Sequence, residues 1–228
     1  MNTEGAVYSD ISFRFPKKHL INKLKLEAHP DLLQEFNRIY SEAVRIANPK
    51  VTFRPLLIEA RGEGFIVLEG TQLKSAILAS QLVSSKRVHV FTATCGAELD
   101  TWSAELSDPL EQYWAHELLG IALERAMRHL RRQLIARYQI GHLSTIDPGS
   151  TADWPLEGQA FLFQLLGDLP AKIGVSLQPH YTMKPAKSAS GIMFSTSQAI
   201  SRCSLCDLEL CSERGRPFDP SLFADQAV

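Results

Sequence analysis

The chain has 228 residues, of which 45% are hydrophobic and 21% are charged, and its formal net charge at pH 7 is -1. That is enough apolar sequence for one substantial core, without the basic excess that attracts nucleic acids or anionic membranes. No apolar run approaches the ~20 residues of a membrane-spanning helix, and the N-terminus lacks a secretory signal. These features predict a cytoplasmic protein with neither nucleic-acid nor membrane partners.

The first part of the chain alternates between strand and helix patterns. Apolar residues at every second position predict a strand over residues 7–15. An apolar face at helical spacing predicts a helix that begins at Pro30-Asp31 and ends at Asn48-Pro49. A second strand is predicted over residues 51–60.

A hairpin and a further helix are predicted next. Glycines in residues 61–64 mark a turn, and the apolar run 65–68 reads as the returning strand. Thr71 is predicted to cap a helix that runs to about Leu82. Residues 87–94 form a predicted buried strand that leads into Cys95.

One long helix dominates the middle of the chain. Asp108-Pro109 is typical of a capping residue followed by the first helical position, and apolar residues recur at steps of three or four from Leu110 to Tyr138. At ~1.5 Å per residue this helix would reach about 40 Å. The mixture of elements predicts an α+β fold with a curved, mainly antiparallel sheet and a long scaffold helix. Residues 1–200 are predicted to form one domain, with the cysteine-bearing segment 201–228 packed on it.

The most specific stretch runs from residue 145 to residue 195. It begins with the turn signal Pro148-Gly149-Ser150 and continues with Asp153-Trp154-Pro155, which precede a predicted helix. Gly167 is predicted to end that helix, and residues 172–177 alternate as a strand would. A polar loop that contains Met-x-Pro-x-Lys-Ser follows.

This order of elements resembles the C-terminal part of the activation domain of cobalamin-dependent methionine synthase, and short stand-alone proteins of that family even more closely. The likeness is distributed over about fifty residues, which makes it more specific than a short motif. A weaker likeness extends back to about residue 35. The matching positions are Pro148, Gly149, Asp153, Trp154, Gln159, Leu165, Leu166, Ile173, Gly174, Met183, Pro185, Lys187, Ser188 and Gly191.

The resemblance implies a ligand and a role. The family domain binds S-adenosylmethionine and helps to remethylate an inactive corrinoid cofactor. The residues implied to bind the ligand are Pro148, Gly149, Ser150, Trp154, Met183, Lys187 and Ser188. Backbone N–H groups of such a tight turn can bind a carboxylate or ribose. The alternative interpretation is that the Pro-Gly pair is only a turn and Trp154 only a core residue.

Two departures from the family separate these interpretations. Methionine synthase members have a tyrosine after Pro-Gly, where this chain has Ser150, and an arginine where it has Thr145. No arginine occurs between Gly141 and Ala171, so a local bidentate partner for a ligand carboxylate is absent. His142 is a poor substitute.

The cysteines suggest a metal centre. Cys203, Cys206 and Cys211 are close enough in sequence to share an ion, and Cys95 is the remaining cysteine that can complete a four-thiolate site. An iron–sulfur cluster suits corrinoid reduction, and zinc is the alternative ion. Weaker candidates for the fourth ligand are Asp207, His89 and His180. The remaining interpretation is a tail of free thiols.

The long helix carries the densest basic run of the sequence, formed by Arg125, Arg128, His129, Arg131, Arg132 and Arg137. A solvated face that also suits the C-terminal helix dipole is the simpler interpretation. A docking surface for an acidic partner, such as a flavodoxin or a corrinoid protein, is the functional one.

The sequence therefore predicts an accessory protein for corrinoid-dependent methyl transfer, which supports the reductive reactivation of a cobalamin enzyme or corrinoid protein. If it is catalytic, its reaction is of the methyltransferase-reactivation type. The chain lacks an Asp-x-His-x-x-Gly corrinoid motif, so cobalamin would arrive on a corrinoid protein or methyltransferase, with a flavodoxin- or ferredoxin-type electron donor. Two alternatives remain: an iron–sulfur or zinc electron-transfer or interaction module that does not bind S-adenosylmethionine, and a structural protein stabilised by zinc.

Overall fold

A computed structural model describes residues 5–13, 17–151, 153–196, 215–217 and 219. Its strands, in chain order, are β1 (Ala6–Tyr8), β2 (Lys50–Leu57), β3 (Ala60–Gly62), β4 (Phe65–Leu68), β5 (Thr71–Lys74), β6 (Arg87–Thr94), β7 (His142–Ile146), β8 (Ser176–Leu177), β9 (Met183–Lys184) and β10 (Ser188–Thr196). Its α-helices are α1 (Lys17–Lys23), α2 (Pro30–Ile46), α3 (Ala76–Gln81), α4 (Ala97–Glu105), α5 (Pro109–Tyr138), α6 (Gly158–Leu166) and α7 (Leu169–Lys172). Short 3-10 helices occupy Leu26–Ala28 and Pro179–Tyr181.

The central sheet has five strands in the order β1-β2-β6-β10-β7, and every neighbouring pair is antiparallel. A smaller antiparallel sheet has the order β3-β4-β5, and β8 pairs with β9. The predicted α+β fold with a mainly antiparallel sheet and a long helix is confirmed.

Strand β6 lies in the middle of the molecule and is buried at every residue after Arg87. Successive side chains of a strand point to opposite faces, so β6 serves two cores. Val88 and Val90 join a cluster with residues of α6 and the small sheet. Phe91 and Ala93 pack with residues of α5 on the other face. A third cluster joins α2 and α4 to the first half of α5.

Helix α5 follows its predicted start. The Asp108 carboxylate accepts hydrogen bonds from the N–H groups of Leu110, at 2.8 Å, and Glu111, at 3.0 Å, and Pro109 occupies the first turn. The helix has 30 residues, which corresponds to about 45 Å. No helix in the described ranges is long and apolar enough to cross a bilayer.

The helix predicted from Thr71 is wrong at its start. Thr71 begins β5, which pairs with β4 and buries Leu73. The capping residue is Ser75, whose hydroxyl oxygen accepts a hydrogen bond from Leu78 N–H at 2.9 Å, and the helix runs only to Gln81. Thr71 and Ser75 stand four residues apart, and because Thr71 pairs in the small sheet the helix begins after Ser75.

Other element boundaries also differ from prediction. The predicted strand over residues 172–177 is wrong at its start because Lys172 ends α7, and only Ser176–Leu177 pairs. The strand predicted over residues 7–15 is limited to β1, since among the described residues only three pair with β2. The strand predicted over residues 51–60 ends at Leu57 in the structure. Ala60 instead begins β3, which pairs with β4 in the small sheet.

Candidate functional site

Two sequence-predicted segments lie at the same end of the strands of the central sheet. Thr94, near the end of β6, is opposite Ser188, the first residue of β10. Ile146, the last residue of β7, is opposite Ile192. The turn after β7 and the loop before β10 therefore both leave the sheet on this side, which we call the sheet edge.

The Pro-Gly turn is closed by its own hydrogen bonds. Gly149 has a left-handed φ of +80° and donates its N–H to the Trp154 carbonyl at 2.7 Å. The Asp147 carbonyl accepts from both the N–H of Ser150, at 3.1 Å, and its hydroxyl, at 2.5 Å. Because these two N–H groups are used inside the turn, the expectation that they bind a ligand carboxylate finds no support in this geometry. Pro148 is buried and Gly149 is exposed.

Gly191 lets the turn approach β10. A Cβ atom at this position would lie 2.2 Å from Asp147 Oδ1 and 2.8 Å from the Ile146 carbonyl oxygen. Any larger residue would therefore clash with the carboxylate and with the backbone of β7. The match of Gly191 to the family consequently has a packing explanation.

Trp154 lies in the core and not in an open site. It is 2% exposed and packs with Leu162 and Leu165 of α6. The neighbouring Asp153 carboxylate accepts from Ser75 Oγ and from Ile77 N–H, both at 2.9 Å. Together these contacts fix the turn against α6 and α3, which favours a supporting role for Trp154.

The loop before β10 is attached to the end of β6. The Lys187 carbonyl accepts from Cys95 N–H at 3.0 Å. The Ser188 hydroxyl lies 2.7 Å from the Pro185 carbonyl oxygen and 3.1 Å from Thr94 Oγ1. Met183 is half-buried in β9, and the peptide bond that precedes Pro185 is cis. Lys187 and Ser188 are thus held in fixed positions.

A cleft of about 370 Å³ opens beside Lys187, between α4 and α5. Asp100, Gln112 and His116 contribute polar groups to this α4–α5 cleft. Asp100 Oδ1 accepts from Ala186 N–H at 3.2 Å, so the cleft is tied directly to the Lys187 loop. Its volume is within the range of small-molecule sites. Sequence reasoning missed these three residues because no motif connects them to Lys187.

Cys95 is a buried, protonated thiol. Its side chain is 0% exposed, and Sγ lies 3.5 Å from the Gly96 carbonyl oxygen. Burial, followed by the nearby Asp100 carboxylate, raises the pKa of Cys95 to about 12. A thiol binds metal as the thiolate, so ligation by Cys95 would require the loss of this proton.

The other predicted metal ligands, Cys203, Cys206, Cys211 and Asp207, lie outside the described residues. Within the part of the chain that the structure describes, no group of three or more metal-binding side chains occurs. Of the substitutes, His89 lies towards the other end of β6, and His180 is exposed in a 3-10 helix. The four-thiolate site stays a prediction.

An arginine does reach Thr145, although it comes from a distant part of the sequence. Arg131 of α5 donates to Thr145 Oγ1 at 2.7 Å and to the Leu143 carbonyl at 2.9 Å. The rest of the basic run is divided: Arg128 pairs with Glu124, and Arg137 lies 6.0 Å from the Phe53 ring centre. At least three of the six basic side chains therefore have partners within the protein.

Comparison with solved structures identifies the fold. The structure matches the crystal structure of the MetH reactivation domain bound to AdoHcy with a TM-score of 0.62, over 87% of this chain and 81% of that chain. The two folds are alike. Sequence identity is 13%, so the likeness shows the fold alone. No protein-family model and no curated protein matches the sequence.

Proposed function

We propose that this chain is an accessory protein for corrinoid-dependent methyl transfer, which supports the reductive reactivation of a cobalamin enzyme or a corrinoid protein. The fold it shares with the MetH reactivation domain carries the proposal. The family-like turn and Lys187-Ser188 loop, both at the sheet edge, add support. Cobalamin would arrive on the partner, and S-adenosylmethionine would supply the methyl group.

S-adenosylmethionine would bind with its amino-acid end in the α4–α5 cleft. Asp100 and Lys187 line that cleft and carry opposite charges. These charges complement the ammonium and carboxylate groups of the ligand. Pro148, Gly149 and Ser150 do not line this cleft, so in this proposal their turn supports the sheet edge and does not contact the amino-acid end of the ligand.

Calorimetric titration tests this site. We expect saturable binding of S-adenosylmethionine to the wild type, and affinity at least about tenfold weaker in Lys187→Met and Asp100→Asn, because each loses a charged contact. Lys184→Met is the matched control, since Lys184 is exposed three residues away and does not contribute to the cleft. No heat and no thermal shift with S-adenosylmethionine would contradict the ligand assignment.

A reactivation assay tests the role. A cobalamin-dependent methyltransferase trapped as cob(II)alamin would be mixed with this chain, a low-potential reductant and methyl-labelled S-adenosylmethionine. The expected result is loss of the cob(II)alamin spectrum and label on the corrinoid, with a slower rate for Lys187→Met. An unchanged spectrum with every corrinoid partner would contradict the role even if the ligand binds.

A second candidate is a metal-containing electron-transfer or interaction module that does not bind S-adenosylmethionine. The occupied N–H groups of Gly149 and Ser150, and the engagement of Arg131 by β7, favour it. Its binding partner would then be a flavodoxin- or ferredoxin-type electron donor, or an acidic protein that docks on the basic run of α5.

Metal analysis after anaerobic purification tests the second candidate. Iron with acid-labile sulfide would indicate a cluster, and zinc a structural site. Loss of metal in Cys203→Ser, Cys206→Ser and Cys211→Ser would support those ligands. Cys95→Ser then decides the fourth ligand: metal loss supports Cys95, and full retention removes it.

A further inference from the structure

A second cavity, of about 430 Å³, lies at the opposite end of the central sheet from the sheet edge. The start of β6, the end of β2, the end of α5 and the residues after α5 surround it. His89 and Tyr138 lie at its inner side, and Leu57 and Ile140 add apolar wall. We call it the His89 pocket.

The polar atoms of two side chains of this pocket are buried, and none of them has a hydrogen-bond partner of acceptable geometry in the part of the chain that the structure describes. His89 is 2% exposed, and neither ring nitrogen has a partner of acceptable geometry among the described residues, although the Met193 backbone lies nearby. The Tyr138 hydroxyl is also buried and unsatisfied within that part of the chain. The two ring centroids are 4.6 Å apart. Native proteins rarely keep such groups unless something else satisfies them.

The imidazole is neutral at physiological pH. Burial, with smaller contributions from the Arg87 and Arg137 charges, lowers the pKa of His89 to about 4, against a raising effect of the Met193 backbone. A neutral imidazole has one donor and one acceptor nitrogen, and the phenol can act as either. Each side chain therefore has one hydrogen that it can donate to an oxygen atom of an anionic ligand.

The charges around the pocket have one sign. Lys86 and Arg87 line it, and no acidic side chain is found among its described lining residues. The Arg87 guanidinium lies 5.2 Å from the Tyr138 ring centre, and that of Arg137 lies 5.6 Å from it. A cavity whose charged lining residues are all cationic attracts anions.

We propose that the His89 pocket binds a small organic anion, with His89 and Tyr138 as its polar contacts, Lys86 and Arg87 facing its carboxylate or phosphate, and Leu57 and Ile140 against its apolar body. This site is separate from the α4–α5 cleft, and its existence does not depend on the function proposed above.

Solution NMR of the full chain tests this site through the ring signals of His89. Benzoate and phenyl phosphate serve as carboxylate and phosphate probes, and benzamide is the matched neutral compound. The expected result is a saturable shift of the His89 signals with at least one anion and none with benzamide. The stronger anion identifies the charged group of the natural ligand.

Variants add an independent readout. His89→Met and Tyr138→Phe should weaken anion binding at least about tenfold, whereas His116→Ala, in the other cavity, should leave it unchanged. His89→Met should also raise the melting temperature, because an unsatisfied buried polar group is removed. The proposal is overturned if no anion shifts the His89 signals, if benzamide binds as well as the anions, or if folded His89→Met keeps wild-type affinity. If His89→Met does not fold, the wild-type titration decides.

Discussion

The α4–α5 cleft and the His89 pocket lie towards opposite ends of β6 and differ in how their polar groups are satisfied. In the cleft, His116 is exposed, and Asp100 and Gln112 already contact the backbone of Ala186 and Leu106. In the pocket, His89 is 2% exposed, and neither of its ring nitrogens has a hydrogen-bond partner of acceptable geometry among the described residues, although the Met193 backbone lies nearby.

This contrast has consequences for stability. Polar groups that are hydrogen-bonded to backbone hold a loop in place, so their removal destabilises the fold. Buried polar groups without partners destabilise it while they are present, and proteins retain such groups most often at functional sites. Removing a polar side chain should therefore change the unfolding free energy by different amounts at the two ends of the sheet, and the change should even differ in sign.

The largest expected effect is the dependence of the unfolding free energy on pH that His89 confers. Its pKa is lowered from 6.5 to about 4 in the folded state, so the unfolded chain binds the proton more readily. Above about pH 6.5 the histidine is neutral in both states, and as the pH falls towards about 4 protonation of the unfolded chain lowers the unfolding free energy by about 3 kcal/mol. Denaturant unfolding at about pH 7 and about pH 4 measures the loss.

Two histidine variants show whether the dependence belongs to the pocket. His89→Met should lose most of this slope, whereas His116→Ala should keep it, because His116 is exposed in the cleft. Equal slopes in the wild type and His89→Met would mean that the acid sensitivity arises elsewhere.

The next prediction compares how tightly the backbone is packed at the sheet edge and beside the His89 pocket. Gly191→Ala should lower the unfolding free energy by about 2 kcal/mol, because its new methyl group meets Asp147 and the backbone of β7. Gly141→Ala, beside the His89 pocket, should change it by less than about 0.5 kcal/mol, since nothing lies within 4 Å of the added atom. Thermal and urea unfolding of the two variants gives the ranking, and similar losses would contradict the close approach at Gly191.

The elements that the sequence predicts well are those with local signals. Asp108 and Pro109 define the start of α5 within two residues, and the structure confirms them. The helix start predicted at Thr71 is wrong because threonine is a common capping residue, and the pairing of β5 with β4 overrides that preference. Helix α4 was missed because only Leu99 of its nine residues is buried, so it has little apolar periodicity.

The candidate site was less accessible to sequence reasoning. The turn and the Lys187 loop were joined by family likeness, but the α4–α5 cleft depends on Asp100 and Ala186, which are 86 positions apart. Arg131 reaches Thr145 only because the end of α5 runs back along β7. His89 was weighed as a metal ligand, and its burial could not be distinguished from an ordinary strand position.

A medium effect tests how the turn at the sheet edge is anchored. Asp153→Ala should lower the unfolding free energy by about 1–2 kcal/mol, because the carboxylate caps α3 and accepts from Ser75. Asp168→Ala is the matched control: Asp168 is 74% exposed and pairs with Lys172 on the surface, so the unfolding free energy should stay nearly unchanged. Equal losses in denaturant unfolding would show that Asp153 does not anchor the turn.

The smallest effect concerns Ser150, which bonds to Asp147 within its own turn. Ser150→Ala should lower the unfolding free energy by about 0.5–1 kcal/mol, and it should change S-adenosylmethionine affinity by less than about twofold, because the hydroxyl already has a backbone partner. Calorimetric titration beside Lys187→Met makes the comparison. A loss as large as that of Lys187→Met would mean that the hydroxyl turns from Asp147 to the ligand on binding, and that a polar group of the sheet edge can leave its backbone partner for a ligand.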